Sequence, residues 1–254
     1  GAFDESIRHS ITKMSHLHFT ATEEYRRRVI QLGEQPDRVF NVGAAGIDNI
    51  KRLKLLSKQE FEQSINFKLG KKNLLVTFHP VTLEDTTSKQ QFSDLLTALN
   101  KLEDTHIIFT KANADTDGRV INKMIDKYVL EQPETTIAFN SLGQLRYLSA
   151  MQYVDGVVGN SSSGLLEAPS FKIGTVNIGD RQRGRVKASS IIDSISTEES
   201  VASALKKLFS QEFSNSVKQT VSPFGNGGVA EKIVKIIDSF PLDDILKKKF
   251  YNEI

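Results

Sequence analysis

The sequence predicts an α/β fold, namely a doubly wound, Rossmann-like parallel sheet with helices on both faces. From about residue 73 to residue 195, short apolar segments of strand length alternate with longer segments of helical periodicity. The strand segments at 74–78 and 156–159 are apolar throughout, as strands buried on both faces are. This alternation is typical of a parallel sheet between two layers of helices.

The composition is that of a globular protein without disulfides. Of the 254 residues, 39% are hydrophobic and 25% are charged, and a chain of this size can bury a sizeable core. A net charge of +2 lacks the basic excess of nucleic-acid-binding proteins. The absence of cysteine excludes thiolate chemistry and fits the cytoplasmic location that we expect. No apolar run reaches 18 residues, so no membrane partner is expected.

Two groups of elements are expected along the chain. Before residue 73 the pattern predicts a helix at 4–14, a strand at 16–19, a helix at 22–32, a strand at 38–42, an irregular hinge at 43–56 and a capped helix at 57–65. After it, the pattern predicts strands at 74–78, 106–109, 136–139, 156–159, 175–178 and 190–195, and helices at 88–102, 118–130, 142–151, 162–168 and 228–240.

Ligands of such sheets bind beyond the carboxyl ends of the strands, and four strand ends carry polar residues. His79 directly follows the strand at 74–78. A histidine there can donate to a phosphate oxygen or move a proton near neutral pH, but it can also merely cap the strand. In the segment 111–118, alternating Asn and Asp suggest a Ca²⁺ loop, but its closing Glu is missing. A turn is the better interpretation there, and Asn113 remains a candidate ligand contact.

A serine-rich loop at 159–164 (GNSSSG) is the most informative strand end. Small residues let the backbone approach a ligand, and the hydroxyls of Ser161 and Ser162 beside a helix start suit an anion. Glu167, one turn further, could accept hydrogen bonds from two ribose hydroxyls. No lysine follows as in a Walker loop. The alternative is a serine-rich helix cap without a ligand.

Three arginines follow the last clear core strand, at Arg181, Arg183 and Arg185. Arginine binds phosphate in a bidentate manner, although one or two of the three would suffice for function. A second basic run, at 26–28, is interpreted as the solvated face of a helix.

The chain resembles the hydrolysing UDP-N-acetylglucosamine 2-epimerases of sialic-acid pathways. The resemblance is carried by FHPVT at 78–82, GNSSSGLLE at 159–167, NIGDRQRGR at 177–185, the opening DESIRHSITK at 4–13 and the tail PFGNG at 223–227. It implies two Rossmann-like domains arranged as in the GT-B glycosyltransferases, with the active site in the cleft. Residues 1–42 would be the end of an N-terminal domain that is largely missing, 43–222 the nucleotide domain, and 223–254 a crossover helix and tail.

The resemblance also implies a reaction and a set of residues. UDP-GlcNAc and water would give N-acetylmannosamine and UDP, through loss of UDP with the C2 proton and addition of water at C1. The family's pattern assigns a catalytic role to Asp4 and His79, and UDP binding to His79, Asn113, Ser161, Ser162, Glu167 and Arg181. Asp4 would otherwise be a first-turn helix charge. No metal, no cofactor and no nucleic acid is implied, and the full-length protein would be a homo-oligomer, a dimer or tetramer.

Further catalytic carboxylates and an early arginine of the family would lie upstream of residue 1, so this chain alone is expected to be inactive. Two alternatives remain. One is a hydrolysing epimerase of a UDP-2,4-diacetamido-trideoxy sugar on the way to legionaminic-type acids. The other is a UDP-binding module without chemistry. The non-hydrolysing epimerases fit less well, because they favour Arg-Arg-Glu after the histidine, where this chain has Pro80, Val81 and Thr82.

Overall fold

The computed structural model describes residues 2–81, 87–112 and 116–252, with the side chains of residues 2–4, 116 and 117 left undescribed. The strands are β1 (His18–Thr20), β2 (Val39–Asn41), β3 (Lys72–Thr77), β4 (Thr105–Thr110), β5 (Thr136–Phe139), β6 (Gly156–Gly159), β7 (Gly174–Ile178) and β8 (Ile191–Ser194). The α-helices are α1 (Ala2–Met14), α2 (Glu23–Gln31), α3 (Gly46–Arg52), α4 (Lys58–Ile65), α5 (Ser88–Leu99), α6 (Thr116–Glu131), α7 (Gly143–Ala150), α8 (Ser163–Leu166), α9 (Glu198–Leu208), α10 (Gln211–Lys218) and α11 (Val229–Ser239).

The chain divides into two compact units, one formed by Gly1–Arg52 with Pro223–Ile254 and the other by Leu53–Ser222. The second unit is a six-stranded parallel sheet in the order β5-β4-β3-β6-β7-β8. This is the Rossmann order, in which strand connections reverse direction between the first strand, here β3, and the fourth, here β6. The predicted doubly wound α/β fold is thereby confirmed.

The sheet's core explains why the strand segments are apolar. Five side chains of the strands are completely buried, because helices cover the sheet on both faces: Leu74, Val76, Phe109, Val158 and Val176. At the carboxyl ends the side chains become polar: Thr77 and Thr110, which end β3 and β4, bond to each other through their hydroxyls. The polar rim therefore begins at the edge of the sheet where ligands of this fold bind.

The first unit contains a two-stranded parallel sheet, β1 and β2, with α1, α2, α3 and α11. The amphipathic pattern of α1 is present, but Ile7, Ile11 and Met14 are 57%, 57% and 76% exposed. Two parallel strands seldom form a stable sheet alone. The assignment of this unit to the remnant of a larger domain stays a prediction.

The irregular hinge predicted at 43–56 is wrong in part, since it contains α3. A helix of seven residues is marginal by itself. Here Ile47 is buried and the Asp48 carboxylate accepts hydrogen bonds from the backbone N–H groups of Val229 and Ala230, at 3.0 and 2.9 Å. Asp48 thereby caps the first turn of α11 from a distance in sequence, and this tertiary contact stabilises α3.

A buried carboxylate organises the other end of the same unit. The side chain of Glu34 is 1% exposed and contacts Lys13 Nζ at 2.6 Å, Lys248 Nζ at 2.7 Å and His18 Nε2 at 2.9 Å. Lys248 also donates to the carbonyls of Lys13 and Ser15, at 2.9 and 2.6 Å, and so caps the end of α1. Burial opposes ionisation of Glu34, but the hydrogen bonds from Lys13, Lys248 and His18 outweigh it and lower its pKa to about 2.

We expect Glu34→Gln to lower the free energy of unfolding at pH 7 by about 2–3 kcal/mol, because an amide cannot neutralise the two ammonium groups. A carboxyl whose pKa is depressed in the folded state stabilises it above the unfolded-state value of 4.5, and this contribution is lost as pH falls towards 2. Urea titrations should therefore show a deficit at pH 7 that shrinks at pH 3.

The matched control is Glu24→Gln, which breaks the ion pair of Glu24 with Arg28 on α2, where both side chains are more than half exposed. That change is expected to alter stability by no more than about 0.5 kcal/mol. Equal effects of the two substitutions at pH 7 would contradict the role given to Glu34.

Candidate functional site

Asn160 joins two strand-end loops at the point where the sheet's connections reverse direction. It follows β6 and is 1% exposed. Its side-chain Oδ1 accepts from the backbone N–H of His79, and its Nδ2 donates to the His79 carbonyl, both at 2.7 Å. The loop after β3 is therefore fixed to the loop after β6 by two reciprocal hydrogen bonds, with His79 at the junction.

The loop after β7 meets the same residue. The carbonyl oxygen of Asn160 accepts from Arg181 Nη1 at 3.1 Å and from Gln182 Nε2 at 2.8 Å. Gln182 is 1% exposed, so this loop is anchored by a buried amide. His79, the serine loop and Arg181, which the sequence predicts to share one site, are brought to one edge of the sheet through Asn160.

Gly159 allows this close approach. Its φ is +129°, and a Cβ built on it would lie 1.9 Å from the carbonyl oxygen of Thr77. Any larger residue would push β6 away from β3 and break the junction. The glycine that opens the GNSSSG loop is therefore required by the backbone geometry.

The serine loop is half-buried and preorganised by its own contacts. Ser161 and Ser162 precede α8, which is a single turn of four residues, and Glu167 follows it as a half-buried C-cap. The backbone N–H of Ser163 donates to Ser161 Oγ at 3.4 Å. The predicted helix at 162–168 is shorter than expected, because Pro169 lies in a following 3₁₀ turn, Ala168–Phe171. An anion here would be held by hydroxyl and N–H groups of this loop.

Positive charge is concentrated beside that loop. Partial burial of Arg181, together with the neighbouring Arg185, lowers the pKa of the Arg181 guanidinium below its ordinary value, although arginine stays charged at neutral pH. Two cations that repel one another gain from an anion placed between them. The site is thus suited electrostatically to a phosphate group, with Arg181 the better positioned of the two through its bond to Asn160.

Two predicted site residues cannot be placed here. Asn113 and Asp115 lie outside the described residues, and of Asp117, in the first turn of α6, only the backbone is described. Asp4 lies in the first turn of α1, in the other unit, but its side chain is outside the described part. Their roles stay predictions.

Sequence reasoning missed Asn160 and Gln182 as the residues that hold the loops together. A signal was present in the position of Asn160, directly after an apolar strand and a glycine. The patterns did not show that β6 lies beside β3, and only that adjacency makes Asn160 a link between loops.

A cavity of about 430 Å³ lies elsewhere, in the first unit beside β2. Its wall is partly apolar and partly basic, lined by Glu23, Arg26, Pro36, Val39, Phe40, Asn41, Val42, Lys232, Lys235 and Ile236. It contains none of the predicted site residues.

Among the described helices, none has the length and apolar composition needed to cross a bilayer.

The strand order is that of Rossmann-like proteins, and polar loops lie where the connections reverse direction. Residues 1–238 match the protein family described as UDP-N-acetylglucosamine 2-epimerase, and the chain belongs to this family.

Curated relatives are similar over nearly the whole chain. The GDP/UDP-N,N'-diacetylbacillosamine 2-epimerase (hydrolyzing) of Campylobacter jejuni is 42% identical over 251 residues, which cover 98% of this chain and 65% of that protein. Polysialic acid biosynthesis protein P7 of Escherichia coli is 41% identical over 242 residues, 94% of this chain and 60% of that protein. The chain therefore spans a little under two-thirds of the length of these relatives.

A solved structure supports the fold. The UDP-GlcNAc 2-epimerase of Methanocaldococcus jannaschii, in complex with UDP-GlcNAc and UDP, aligns with a TM-score of 0.70 over 89% of this chain and 62% of that one. The identity is 20%, so this similarity bears on the fold alone.

We expect Asn160→Ala to weaken UDP binding by at least about tenfold and to lower stability by about 1–3 kcal/mol, because the backbone of His79 loses both partners. The matched control is Asn73→Ala. Asn73 makes the same pair of bonds, to the N–H and carbonyl of Gly70 at 2.8 and 3.2 Å, but where β3 begins. Asn73→Ala should lower the free energy of unfolding by a similar amount and leave the UDP affinity, measured by calorimetry, unchanged. Equal UDP affinities in the two variants would remove Asn160 from the site.

Proposed function

We propose that this chain is the UDP-binding part of a hydrolysing 2-epimerase that acts on a UDP-2-acetamido sugar. The observation that carries the proposal is the junction at Asn160, which brings His79, the serine loop and Arg181 to one sheet edge in a member of this family. The reaction breaks the C1–O bond to UDP and the C2–H bond, giving a glycal. Water then adds at C1, and a proton returns to C2 from the opposite face.

Departure of UDP requires charge stabilisation, which the loops around Asn160 can supply. Arg181 and the hydroxyls of Ser161 and Ser162 would bind the diphosphate as negative charge develops on it. His79, held by its backbone, would donate to the same group or move a proton. Glu167 would accept hydrogen bonds from the ribose hydroxyls, and Asn113 would contact the nucleotide. We propose that neither a metal nor a cofactor takes part.

Proton transfer at C2 is assigned to Asp4, with further carboxylates contributed by residues upstream of this chain. The exposed apolar side chains of Ile7, Ile11 and Met14 support further protein packed against α1, since a helix ordinarily buries such a face. The curated relatives are also longer than this chain. We therefore propose that residues 1–42 complete a larger N-terminal domain and that residues 43–222 form the nucleotide domain. Residues 223–254 would cross between these two domains. We further propose that the enzyme is a homo-oligomer and is active in the cytoplasm.

The substrate is proposed from the relatives. The name of the C. jejuni relative, at 42% identity, specifies a diacetylated 2,4-diamino sugar and favours a UDP-2,4-diacetamido-trideoxy sugar. The family description favours UDP-GlcNAc. The two sugars share the C2 acetamido group and the UDP leaving group, so the same loops and the same chemistry serve both.

The full-length protein should release UDP from one of these sugars and form the 2-epimeric free sugar. Incubation with UDP-GlcNAc and with UDP-N,N'-diacetylbacillosamine in parallel, with UDP and the free sugars quantified, decides the substrate. We expect the larger kcat/KM for the diacetamido sugar. UDP binding without turnover of either sugar would instead support a binding module without chemistry.

The same assay tests Asp4. We expect Asp4→Asn to reduce turnover about 10²- to 10⁴-fold at saturating substrate with UDP affinity retained, because an amide cannot transfer a proton. Asparagine caps a helix nearly as well as aspartate, so a purely structural Asp4 would tolerate the change. Glu5→Gln is the control, since Glu5 forms only exposed ion pairs with Arg8 and His9 in the described structure. Asp4→Asn within a few-fold of the wild type would contradict a catalytic role.

A further inference from the structure

Tyr147, on α7, has a hydroxyl group that the functions assigned so far do not use. The Tyr147 Oη atom is buried and makes no hydrogen bond of good geometry among the described residues, although the side chains of Ser163 and Thr77 lie within reach of it. The hydroxyl of Ser163, at the start of α8, is buried without a partner in the same way. The surroundings of Tyr147 include the side chains of Ser163, Thr77 and Glu167, and burial raises its pKa to about 12, so the hydroxyl stays a proton donor at any physiological pH.

These neighbours belong to both sides of the junction at Asn160. Thr77 is the last residue of β3, two positions before His79 and bonded to Thr110. Ser163 is the first residue of α8, after β6, and Glu167 follows this helix as its C-cap. Tyr147 therefore lies where the end of β3 meets the serine loop, a position from which its hydroxyl can hold one against the other.

An unpaired buried hydroxyl costs free energy, and such groups are rare in native proteins. A nearby tyrosine shows the usual solution: Tyr153, which follows α7, donates its hydroxyl to the carbonyl of Leu56 at 2.7 Å. Phenylalanine would pack as well at position 147 if only the ring mattered. Two neighbouring hydroxyls without such a bond, one on α7 and one at the start of α8, are suited to a contact that forms when a ligand occupies the serine loop.

We propose that Tyr147 is a positioning residue of the UDP site: when phosphate oxygens engage the serine loop, Tyr147 Oη donates to Ser163 Oγ and fixes the turn that carries Ser161, Ser162 and Glu167. The inference rests on the proposed UDP-binding function. Tyr147 acts through Ser163 and does not itself touch the nucleotide.

The test compares Tyr147→Phe with Tyr153→Phe in the full-length protein, by UDP calorimetry and thermal unfolding. Tyr147→Phe should lose about tenfold in UDP affinity and keep or slightly raise the melting temperature, because it removes a buried unpaired hydroxyl. Tyr153→Phe should lower the melting temperature, since it loses a hydrogen bond, and retain UDP affinity. A purely structural role for Tyr147 predicts the opposite pattern for that residue.

A double-mutant cycle with Ser163→Ala identifies the partner. Ser163→Ala should lose a similar factor in UDP affinity, and adding Tyr147→Phe to it should cause little further loss. Unchanged UDP affinity in Tyr147→Phe, or fully additive losses in the double variant, would overturn the inference while leaving the proposed function intact. A wild-type protein that binds no UDP would overturn both.

Discussion

The candidate site depends on one pair of hydrogen bonds, between the side-chain amide of Asn160 and the backbone of His79. Parallel strands bring their carboxyl ends to one edge, but they leave the loops that follow free to diverge. Asn160 removes that freedom at the reversal point, and its own carbonyl then anchors the arginine-bearing loop through Gln182. The close approach in turn requires Gly159, whose missing side chain leaves room for the Thr77 carbonyl. The relative placement of the three loops is thus set largely by neutral amide groups.

The first unit is organised by buried carboxylates instead. Asp48 binds the backbone at the start of α11, and Glu34 gathers Lys13, Lys248 and His18. Both contacts join the beginning of the chain to its end. The tail motif at 223–227 is explained in part by this arrangement. It leads directly into the first turn of α11, whose backbone N–H groups donate hydrogen bonds to the Asp48 carboxylate. Charge is costly to bury, and each carboxylate is compensated by several donors.

The fold could be predicted from the sequence because its strands are apolar throughout and separated by helical periods. The strands at 136–139 and 156–159 have the predicted bounds, and the capping box of Ser57 and Glu60 is present as predicted. Three helices were missed, α3, α9 and α10. For α3 the reason is physical: it is stabilised by Asp48 and Ile47 through contacts distant in sequence. Asn160 and Tyr147 were missed for the same reason, because their importance arises from strand order, which periodicity does not encode.

We propose that three loops, after β3, β6 and β7, form one UDP site at the Asn160 junction. Hydrogen exchange of the full-length protein with and without UDP tests it most directly, because amide protection reports each loop separately. We expect UDP to protect the backbone amides around His79, Ser161–Ser163 and Arg181–Arg185 together, and to leave amide exchange at the cavity beside β2 unchanged. Protection confined to the residues that line that cavity, or to one of the three loops alone, would contradict it.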